Sequence, residues 1–171
     1  PRTFGSGNPG ATNVLRTGNK VAAALTLLGD CLKGVVPVAL AVYLEEQLGL
    51  GDAGVALISV AVFAGHLWPV YFRFKGGKGV ATALGVLLGL NPVLGLATLV
   101  TWIGIAYAFR YSSLAALVSA LFAPFYYTLL FGLNNIGFAV LAMSVLLICR
   151  HKINIGNLIS VRECKIGKSK A

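Results

Sequence analysis

The fold of this chain is restricted most by its apolar runs, which are too long and too numerous for the core of a soluble domain. Six runs are separated only by short polar or Gly/Pro-rich segments, and they cover residues 21–44, 53–72, 80–90, 93–109, 114–133 and 136–149. Of the 171 residues, 57% are hydrophobic and 11% are charged, whereas a soluble domain carries about a quarter charged residues. The pattern predicts an all-α fold, a polytopic bundle of six transmembrane helices.

The third run, residues 80–90, is short for a membrane helix. Its residues cover only about half of a hydrocarbon core of ~30 Å, so a re-entrant half-helix is the alternative to a crossing. If every run crosses, thirteen of the fourteen Lys and Arg residues fall on one side of the membrane. Cytoplasmic loops are enriched in Lys and Arg, so we predict that this run crosses and that the cationic loops are cytoplasmic. Gly85 and Gly89 predict close packing against a neighbouring helix, which would shield so short a crossing.

The placement of the cations also explains the net charge of +9. Cations in short loops and tails between apolar runs are attracted to anionic lipid, so we expect a lipid bilayer as partner and no nucleic acid. We interpret residues 1–171 as one integral membrane domain, with a cytoplasmic segment at 1–20, a helix bundle at 21–149 and a cytoplasmic tail at 150–171. The chain opens on a polar stretch with neither a signal peptide nor an initiating Met, so we expect a fragment or a processed chain.

Three ionisable residues lie inside the apolar runs. Asp30 and Lys33 are three residues apart, which is the spacing of neighbours on a helix. An internal ion pair that fixes helix packing is the simpler interpretation, and a role in shaping a site is the alternative. His66 precedes Pro69, which we expect to kink the second helix, and we interpret this histidine as an interior hydrogen-bonding residue rather than a catalytic one.

Three segments rich in glycine, cations or hydroxyl groups would lie together on the cytoplasmic side. In the first, residues 5–13 with Arg16, the glycines permit turns that direct several N–H groups at one anion, and Pro9 suits a first helical position. A flexible terminus is the alternative. The candidate residues of this segment are Gly5, Ser6, Gly7, Asn8, Gly10, Thr12, Asn13 and Arg16.

The second segment, residues 74–82, lies directly ahead of the third helix. A helix that begins here points unpaired N–H groups and the positive end of its dipole at the loop, and Lys78 adds a full charge. The Walker A spacing is missing, so ATP hydrolysis is not expected, and an ordinary basic loop is the alternative. The candidate residues of this segment are Lys75, Gly76, Gly77, Lys78, Gly79 and Thr82.

The third segment, residues 150–155, follows the last helix, and Glu163 lies further along. His151 and Asn154 would share one face if the helix continues for a turn, and a histidine at this depth can accept a proton or donate to an oxyanion. A polar helix end that reaches the membrane interface is the alternative. Ser113 joins these candidates because residues 110–113 open the fifth helix on the same side, where a serine cap would leave a positive dipole end facing the cytoplasm. A simple helix cap is the alternative.

The segments read GSGNPGATNVLR, GHLWPVYFRFKGGKGVAT and RHKINI, and together they resemble the three motifs of the PlsY family. Members of this family are integral membrane acyl-phosphate:glycerol-3-phosphate acyltransferases of bacteria. The resemblance, from Phe4 to about Glu163, implies transfer of a fatty acyl group from acyl phosphate to the 1-hydroxyl of glycerol 3-phosphate. The products would be lysophosphatidic acid and phosphate, formed at the cytoplasmic face of the inner membrane.

The resemblance also implies residue roles. Those with a catalytic role would be Ser6, Arg16, Lys78, His151 and Asn154, with Glu163 in support. The first three would engage phosphate, and the glycines of both loops would supply N–H donors. Acyl phosphate is an activated mixed anhydride, so the hydroxyl can attack it directly, with either His151 or a phosphate oxygen of the substrate as general base. We expect no cofactor, and no metal because the chain has only two aspartates.

Two departures from the family pattern are visible. Relatives usually carry another hydrophobic helix ahead of the first motif, whereas this chain begins almost at that motif. In the third motif Asn157 and Val161 stand where the family has Arg and then Gly, which reduces the cationic charge near Glu163. The alternative function is a transporter for a phosphorylated organic anion, which intramembrane charges and cationic loops would suit. No inverted repeat is evident, and transporters tend to bind at the membrane midplane.

Overall fold

The computed structural model describes residues 7–167, and every regular element in that range is helical. The α-helices are α1 (Ala11–Arg16), α2 (Lys20–Tyr43), α3 (Glu45–Leu48), α4 (Gly51–Leu67), α5 (Val80–Leu90), α6 (Pro92–Phe109), α7 (Ser112–Phe131), α8 (Asn135–Arg150) and α9 (Lys152–Ile159). A short 3₁₀ turn, Val70–Phe72, follows α4. The predicted all-α class is therefore confirmed for the described residues.

A helix lies at each of the six apolar runs, but the helices differ in length. Four are long and apolar enough to span a membrane: α2, α4 extended by its 3₁₀ turn, α6 and α7. A fifth span results if α8 and α9, which are bent by 59° relative to each other, are taken together. α5, with eleven residues, is the short run that the sequence indicated.

The helices form a closed ring in which each one packs on its neighbours. Around the ring α2 contacts α5, α5 contacts α6, α6 contacts α7, α7 contacts α8, α8 contacts α4, and α4 returns to α2. Large side chains such as Phe63, Leu67 and Leu94 are fully buried inside the ring. Many others, including Leu57 and Leu129, are exposed on its outer face, as expected for helices that face lipid.

Glycines allow the backbones of α2 and α5 to approach closely. A Cβ added at Gly85 would overlap the carbonyl oxygen of Cys31, and one added at Gly89 would lie 2.9 Å from the oxygen of Val35. From the other side, a Cβ at Gly34 would lie 2.5 Å from the oxygen of Thr82. The predicted close packing through Gly85 and Gly89 is confirmed, and α2 is the partner helix.

Local details differ from three expectations about helix ends. Pro69 does not kink the second helix, because α4 already ends at Leu67 and the chain leaves helical geometry at Trp68. The residue before a proline is disfavoured in the α conformation, which explains an end rather than a bend. Pro9 is not the first helical residue either, since α1 begins at Ala11 after a Gly10 N-cap. The last helix does not simply continue for a turn, because the chain bends at His151 and forms α9.

We predict that Gly85→Ala destabilises the protein by about 1–3 kcal/mol, because the added methyl group meets a backbone carbonyl and the two helices must separate to admit it. The measurement is the thermal unfolding midpoint in detergent. Gly104→Ala is the matched control, since a Cβ at that helical glycine meets nothing within 4 Å. Equal midpoints for the two variants would contradict the assigned packing.

Candidate active site

Four segments that are distant in sequence meet at one end of the helix bundle. The α4–α5 loop contacts the end of α8 and the start of α9, and the start of α7 contacts the C-terminal tail. α1 joins through Thr12, whose hydroxyl lies 3.3 Å from that of Ser112. The three predicted motif segments and the α6–α7 turn therefore lie at one place, as the sequence interpretation required.

A chain of hydrogen bonds forms the centre of this end. The ammonium Nζ of Lys78 donates to Oδ1 of Asn154 at 2.5 Å, and Nδ2 of Asn154 donates to Oε1 of Glu163 at 2.7 Å. The hydroxyl of Ser113 donates to the same Glu163 oxygen at 2.7 Å. The amide of Asn154 thus separates a cation from a carboxylate, with its oxygen toward the first and its nitrogen toward the second.

Lys78 is held in a largely buried and cationic environment. Burial lowers the pKa of its amine below the ordinary value. The negative charge of Glu163 opposes this effect, while the neighbouring positive charges of Arg16 and Arg150 lower the pKa further. Three cations therefore lie near one carboxylate, an arrangement that attracts a multiply charged anion.

His151 is buried beside the same groups, and its tautomer follows from its contacts. Its Nδ1 lies 2.8 Å from the carbonyl oxygen of Leu147, which can only accept, so Nδ1 carries the proton and Nε2 keeps a lone pair. Burial is the main cause that lowers the pKa of His151 to about 4. The bond to Leu147 raises this pKa, the charge of Lys78 lowers it and the charge of Glu163 raises it. The ring is therefore neutral near pH 7.

The glycines ahead of α5 are required by close contacts. A Cβ at Gly76 would overlap the carbonyl oxygen of His66, and one at Gly77 would overlap the imidazole of the same residue. Gly79, with φ of +86°, packs so closely on Phe63 that a side chain would not fit. The loop thus presses onto the end of α4, and it brings Lys78 and the N–H groups at the start of α5 to the same place.

The structure brings most of the predicted site residues together, but not all of them. Lys78, Asn154, Glu163 and Ser113 form the hydrogen-bonded chain, and His151 and Arg16 are close enough for their charges or pKa values to be linked to it. The remaining described candidates lie in the segment before α1, in α1 itself and in the α4–α5 loop: Gly7, Asn8, Gly10, Thr12, Asn13, Lys75, Gly76, Gly77 and Gly79. Gly5 and Ser6 lie outside the described residues.

Two candidates stand in positions that the sequence could not specify. Thr82 is fully buried, its carbonyl faces α2, and its hydroxyl has no hydrogen-bond partner among residues 7–167. Lys75 is exposed three residues before Lys78. The predicted serine cap of α7 is wrong, because the N-cap is Tyr111, which makes no side-chain capping hydrogen bond, and both serines lie inside the helix. The hydroxyl of Ser113 donates to Glu163.

Arg150 is a residue for which the sequence suggested no specific role. Its guanidinium donates to the carbonyl oxygens of Gly76 at 3.1 Å and of Gly77 at 3.2 Å and 3.3 Å. In the sequence it is the first residue of the third motif segment, RHKINI, but no contact or role followed from that position. Arginine and lysine are common at the cytoplasmic ends of membrane helices, so the presence of a cation there did not by itself indicate a contact with the glycine loop.

The intramembrane pair expected from the sequence is present. Lys33 Nζ lies 2.6 Å from Asp30 Oδ1, and His66 Nδ1 lies 3.5 Å from the same oxygen. At that distance the contact is too long for a good hydrogen bond, and Nδ1 of His66 has no hydrogen-bond partner among residues 7–167. The predicted satisfied interior hydrogen bond is therefore wrong at this atom, because Asp30 bonds to Lys33 instead. Asp30 thus faces His66 near the end of α4, and the ring of His66 lies against Gly77 of the glycine loop.

Comparison with known proteins now decides the family. A family model described as glycerol-3-phosphate acyltransferase matches residues 1–161. The chain is 65% identical to the glycerol-3-phosphate acyltransferase of Herminiimonas arsenicoxydans and 66% identical to that of Janthinobacterium sp. (strain Marseille). Each match covers 99% of this chain, with 83% and 85% of the respective relative. The chain belongs to the glycerol-3-phosphate acyltransferase family.

Solved structures from this family share the fold. The glycerol 3-phosphate form of PlsY (YgiH), an integral membrane glycerol 3-phosphate acyltransferase, matches with a TM-score of 0.90 and 37% identity, over 97% of this chain and 82% of that one. Its lysophosphatidic acid form matches with a TM-score of 0.87 at the same identity, over 95% and 81%. The resemblance to the PlsY family that the three motifs indicated is confirmed. The prediction of a multi-pass integral membrane protein is confirmed as well.

We predict that Gly76→Ala and Gly77→Ala both reduce activity but respond differently to a second change. At Gly77 the added methyl group meets the His66 ring, so His66→Ala makes room for it. At Gly76 it meets backbone oxygens of His66 and Leu67, so the same change gives no relief. Acyltransfer by the single and double variants is the measurement, with Gly65→Ala, an exposed helical position with open space around it, as control. Equal rescue of both variants would contradict this geometry.

The lowered pKa of His151 predicts a pH-dependent stability. Below about pH 6.5 the unfolded chain binds a proton that the folded chain does not bind until about pH 4, so stability is lost across this window as the pH falls. The loss is on the order of 3 kcal/mol. The unfolding midpoint should therefore fall less between pH 7.5 and pH 4.5 in His151→Gln than in the unsubstituted protein. Parallel falls would show that the imidazole is not held neutral.

Proposed function

We propose that the protein transfers a fatty acyl group from acyl phosphate to the 1-hydroxyl of glycerol 3-phosphate, giving lysophosphatidic acid and inorganic phosphate. The family supports the acceptor and the product, since the related PlsY is described in a glycerol 3-phosphate form and in a lysophosphatidic acid form. The donor is inferred from the resemblance of the motifs and from the chemistry of the site. An acyl phosphate would bring a second phosphate into a cationic pocket.

The observation that carries this proposal is the meeting of Lys78, Asn154 and Glu163 beside the start of α5, with Arg16 close enough for its charge to act on Lys78. Phosphate groups are bound well by such a combination of helix N–H groups and full charges. During acyl transfer, negative charge grows on the carbonyl oxygen and on the departing phosphate. A preorganised ammonium such as that of Lys78 stabilises this charge without rearrangement of solvent.

The residues proposed to act on the substrates are those predicted from the sequence. Catalytic roles are assigned to Ser6, Arg16, Lys78, His151 and Asn154, and binding roles to the glycines and polar residues of the two loops together with Ser113 and Glu163. We assign a supporting role to Glu163, because it accepts hydrogen bonds from both Asn154 and Ser113 and so orients the amide that faces Lys78. This assignment requires no serine or cysteine nucleophile, since the mixed anhydride is already activated.

The proton of the attacking hydroxyl needs an acceptor, and the environment of His151 favours one of the two alternatives. A group with a pKa of about 4 is a weak base near pH 7. A phosphate oxygen, with a second pKa near 6, is the stronger base. We therefore assign the proton to a substrate phosphate oxygen, while Nε2 of His151 accepts a hydrogen bond that orients the hydroxyl.

We further propose that the six helices at the apolar runs all cross the inner membrane of a bacterium, with the site on the cytoplasmic face. Support comes from the order of the contacts, because the end of α4, the start of α5, the start of α7 and the end of α8 lie at the same end of the bundle. With this topology, thirteen of the fourteen Lys and Arg residues lie on the side of the membrane that carries the site. A site at one interface takes phosphate groups from water and an acyl chain from the bilayer, and it differs from the midplane site of a transporter.

The proposal is tested by incubating the protein in detergent or liposomes with acyl phosphate, with and without glycerol 3-phosphate. We expect phosphate release that depends on glycerol 3-phosphate and equals the lysophosphatidic acid formed. Acyl-CoA and acyl carrier protein in place of acyl phosphate should give no product. Use of those donors would overturn the donor assignment, and accumulation of labelled glycerol 3-phosphate in liposomes without product would favour transport.

We predict that Lys78→Ala lowers turnover by roughly 10²-fold, because the site loses the ammonium that stabilises the developing charge. The variant should keep its unfolding midpoint in detergent, since the hydrogen bond that is lost, from Lys78 to Asn154, lies outside the hydrophobic core of the bundle. Lys152→Ala, which removes an exposed lysine close by, is the matched control and should behave as the unsubstituted protein. Turnover by Lys78→Ala within a few-fold of the control would reject the role of Lys78.

A further inference from the structure

The Gly76-Gly77 dipeptide is held from two sides. On one side its N–H groups donate to the last carbonyls of α4, from Gly76 to Leu67 at 3.2 Å and from Gly77 to His66 at 3.3 Å. On the other side its two carbonyls accept from the guanidinium of Arg150, the last residue of α8. These groups belong to three successive peptide units. The unit between Gly76 and Gly77 is held at both ends, by α4 through its N–H and by Arg150 through its C=O, while the unit before it is held by α4 and the unit after it by Arg150.

The orientation of these peptide units determines where Lys78 begins. The carbonyl of Gly77 belongs to the peptide bond with Lys78, so the bonds from Arg150 fix the plane from which the Lys78 side chain starts. From this start Nζ reaches Asn154, which lies four residues after Arg150 and on the other side of the bend at His151. The loop and the α8–α9 bend are therefore linked twice, once through Arg150 and once through Lys78.

The guanidinium of Arg150 differs from the other cations of the site in what it contacts. Arginine has five N–H donors in a planar fork, and here the donors of Nε and Nη2 are used on protein carbonyls. Lysine at this place could not reproduce both contacts with the same planarity. Because its donors bond to carbonyls of the α4–α5 loop, Arg150 influences the position of the next loop residue, Lys78.

We propose that Arg150 is a positioning residue for the acyltransfer reaction, which sets the place and orientation of Lys78 through the carbonyls of Gly76 and Gly77 and does not itself bind phosphate. This inference rests on the proposed function for its kinetic consequences. The geometric part stands without it, because the hydrogen bonds join protein groups only. A secondary effect supports the proposal, since the positive charge of Arg150 also lowers the pKa of Lys78.

The test is a double-mutant cycle with Arg150→Gln and Lys78→Ala in the full chain. If Arg150 acts through Lys78, Arg150→Gln should lower kcat between about 10- and 100-fold in the unsubstituted background, as a displaced catalytic group does. In the Lys78→Ala background it should cost less than about threefold, because the group that it positions is gone. KM for both phosphate substrates should change little. Full multiplication of the two effects, or a large rise in KM, would show that Arg150 binds substrate and would overturn the proposal.

A second readout is independent of catalysis. The reactivity of the Lys78 amine toward acetic anhydride, followed by mass spectrometry across a pH series, reports the pKa of that amine. Arg150→Gln removes a neighbouring positive charge, so the pKa of Lys78 should rise, whereas Arg150→Lys should leave it close to the original value. An unchanged pKa in Arg150→Gln would contradict the assigned proximity. If the unsubstituted protein shows no acyltransfer, the proposed function fails while this measurement still decides the position of Arg150.

Loss of folding is separated from loss of positioning by the conservative variant. If Arg150→Gln does not reach the folded state in detergent, the same cycle is run with Arg150→Lys, which keeps the charge and loses the planar fork. We expect an intermediate fall in kcat that again disappears in the Lys78→Ala background. A fall of equal size in both backgrounds would overturn the proposal.

Discussion

The contact between α2 and α5 determines where the site can form. α5 is too short to be placed by its length, and in lipid no hydrophobic driving force favours one helix pairing over another. Its glycines remove the side chains that would hold the two backbones apart, so dispersion between backbones fixes its depth and rotation. Once α5 is fixed, the loop ahead of it must press onto the end of α4, which is why only glycines fit at Gly76 and Gly77. The side chain of Lys78 therefore extends into the site from a backbone segment that is held in place by hydrogen bonds.

The site that results is electrostatically unbalanced in the absence of substrate. Arg16, Lys78 and Arg150 lie near a single carboxylate, Glu163, and burial adds to the cost of charge on Lys78. Such a site favours the binding of an anion. A bound phosphate would reduce the repulsion among the cations and would compensate for the hydration that they lose on burial. Asn154 serves this arrangement as a neutral spacer, which lets Lys78 stay close to Glu163 without a direct ion pair that would neutralise it.

The same environment separates the roles of the two candidate bases. His151 is buried, which is the main reason that its ring stays neutral, and its Nδ1 proton is already used by Leu147. What remains is an acceptor of fixed direction. The proposed donor, an acyl phosphate, is already activated, so its reaction needs orientation and charge stabilisation more than it needs a strong base.

The sequence by itself determined the helical class, the positions of the apolar runs and the family, because apolar length, cation placement and three long motifs are local properties of the chain. It also indicated Lys78, Asn154 and Glu163, though not that they are joined. Only the tertiary structure decided the bend at His151, the hydrogen bond of Ser113 to Glu163, and the contact of Arg150 with the glycine loop. Each of these depends on which distant group competes for a donor or a space, and a hydrogen bond between residues seventy positions apart leaves no periodic trace in the sequence.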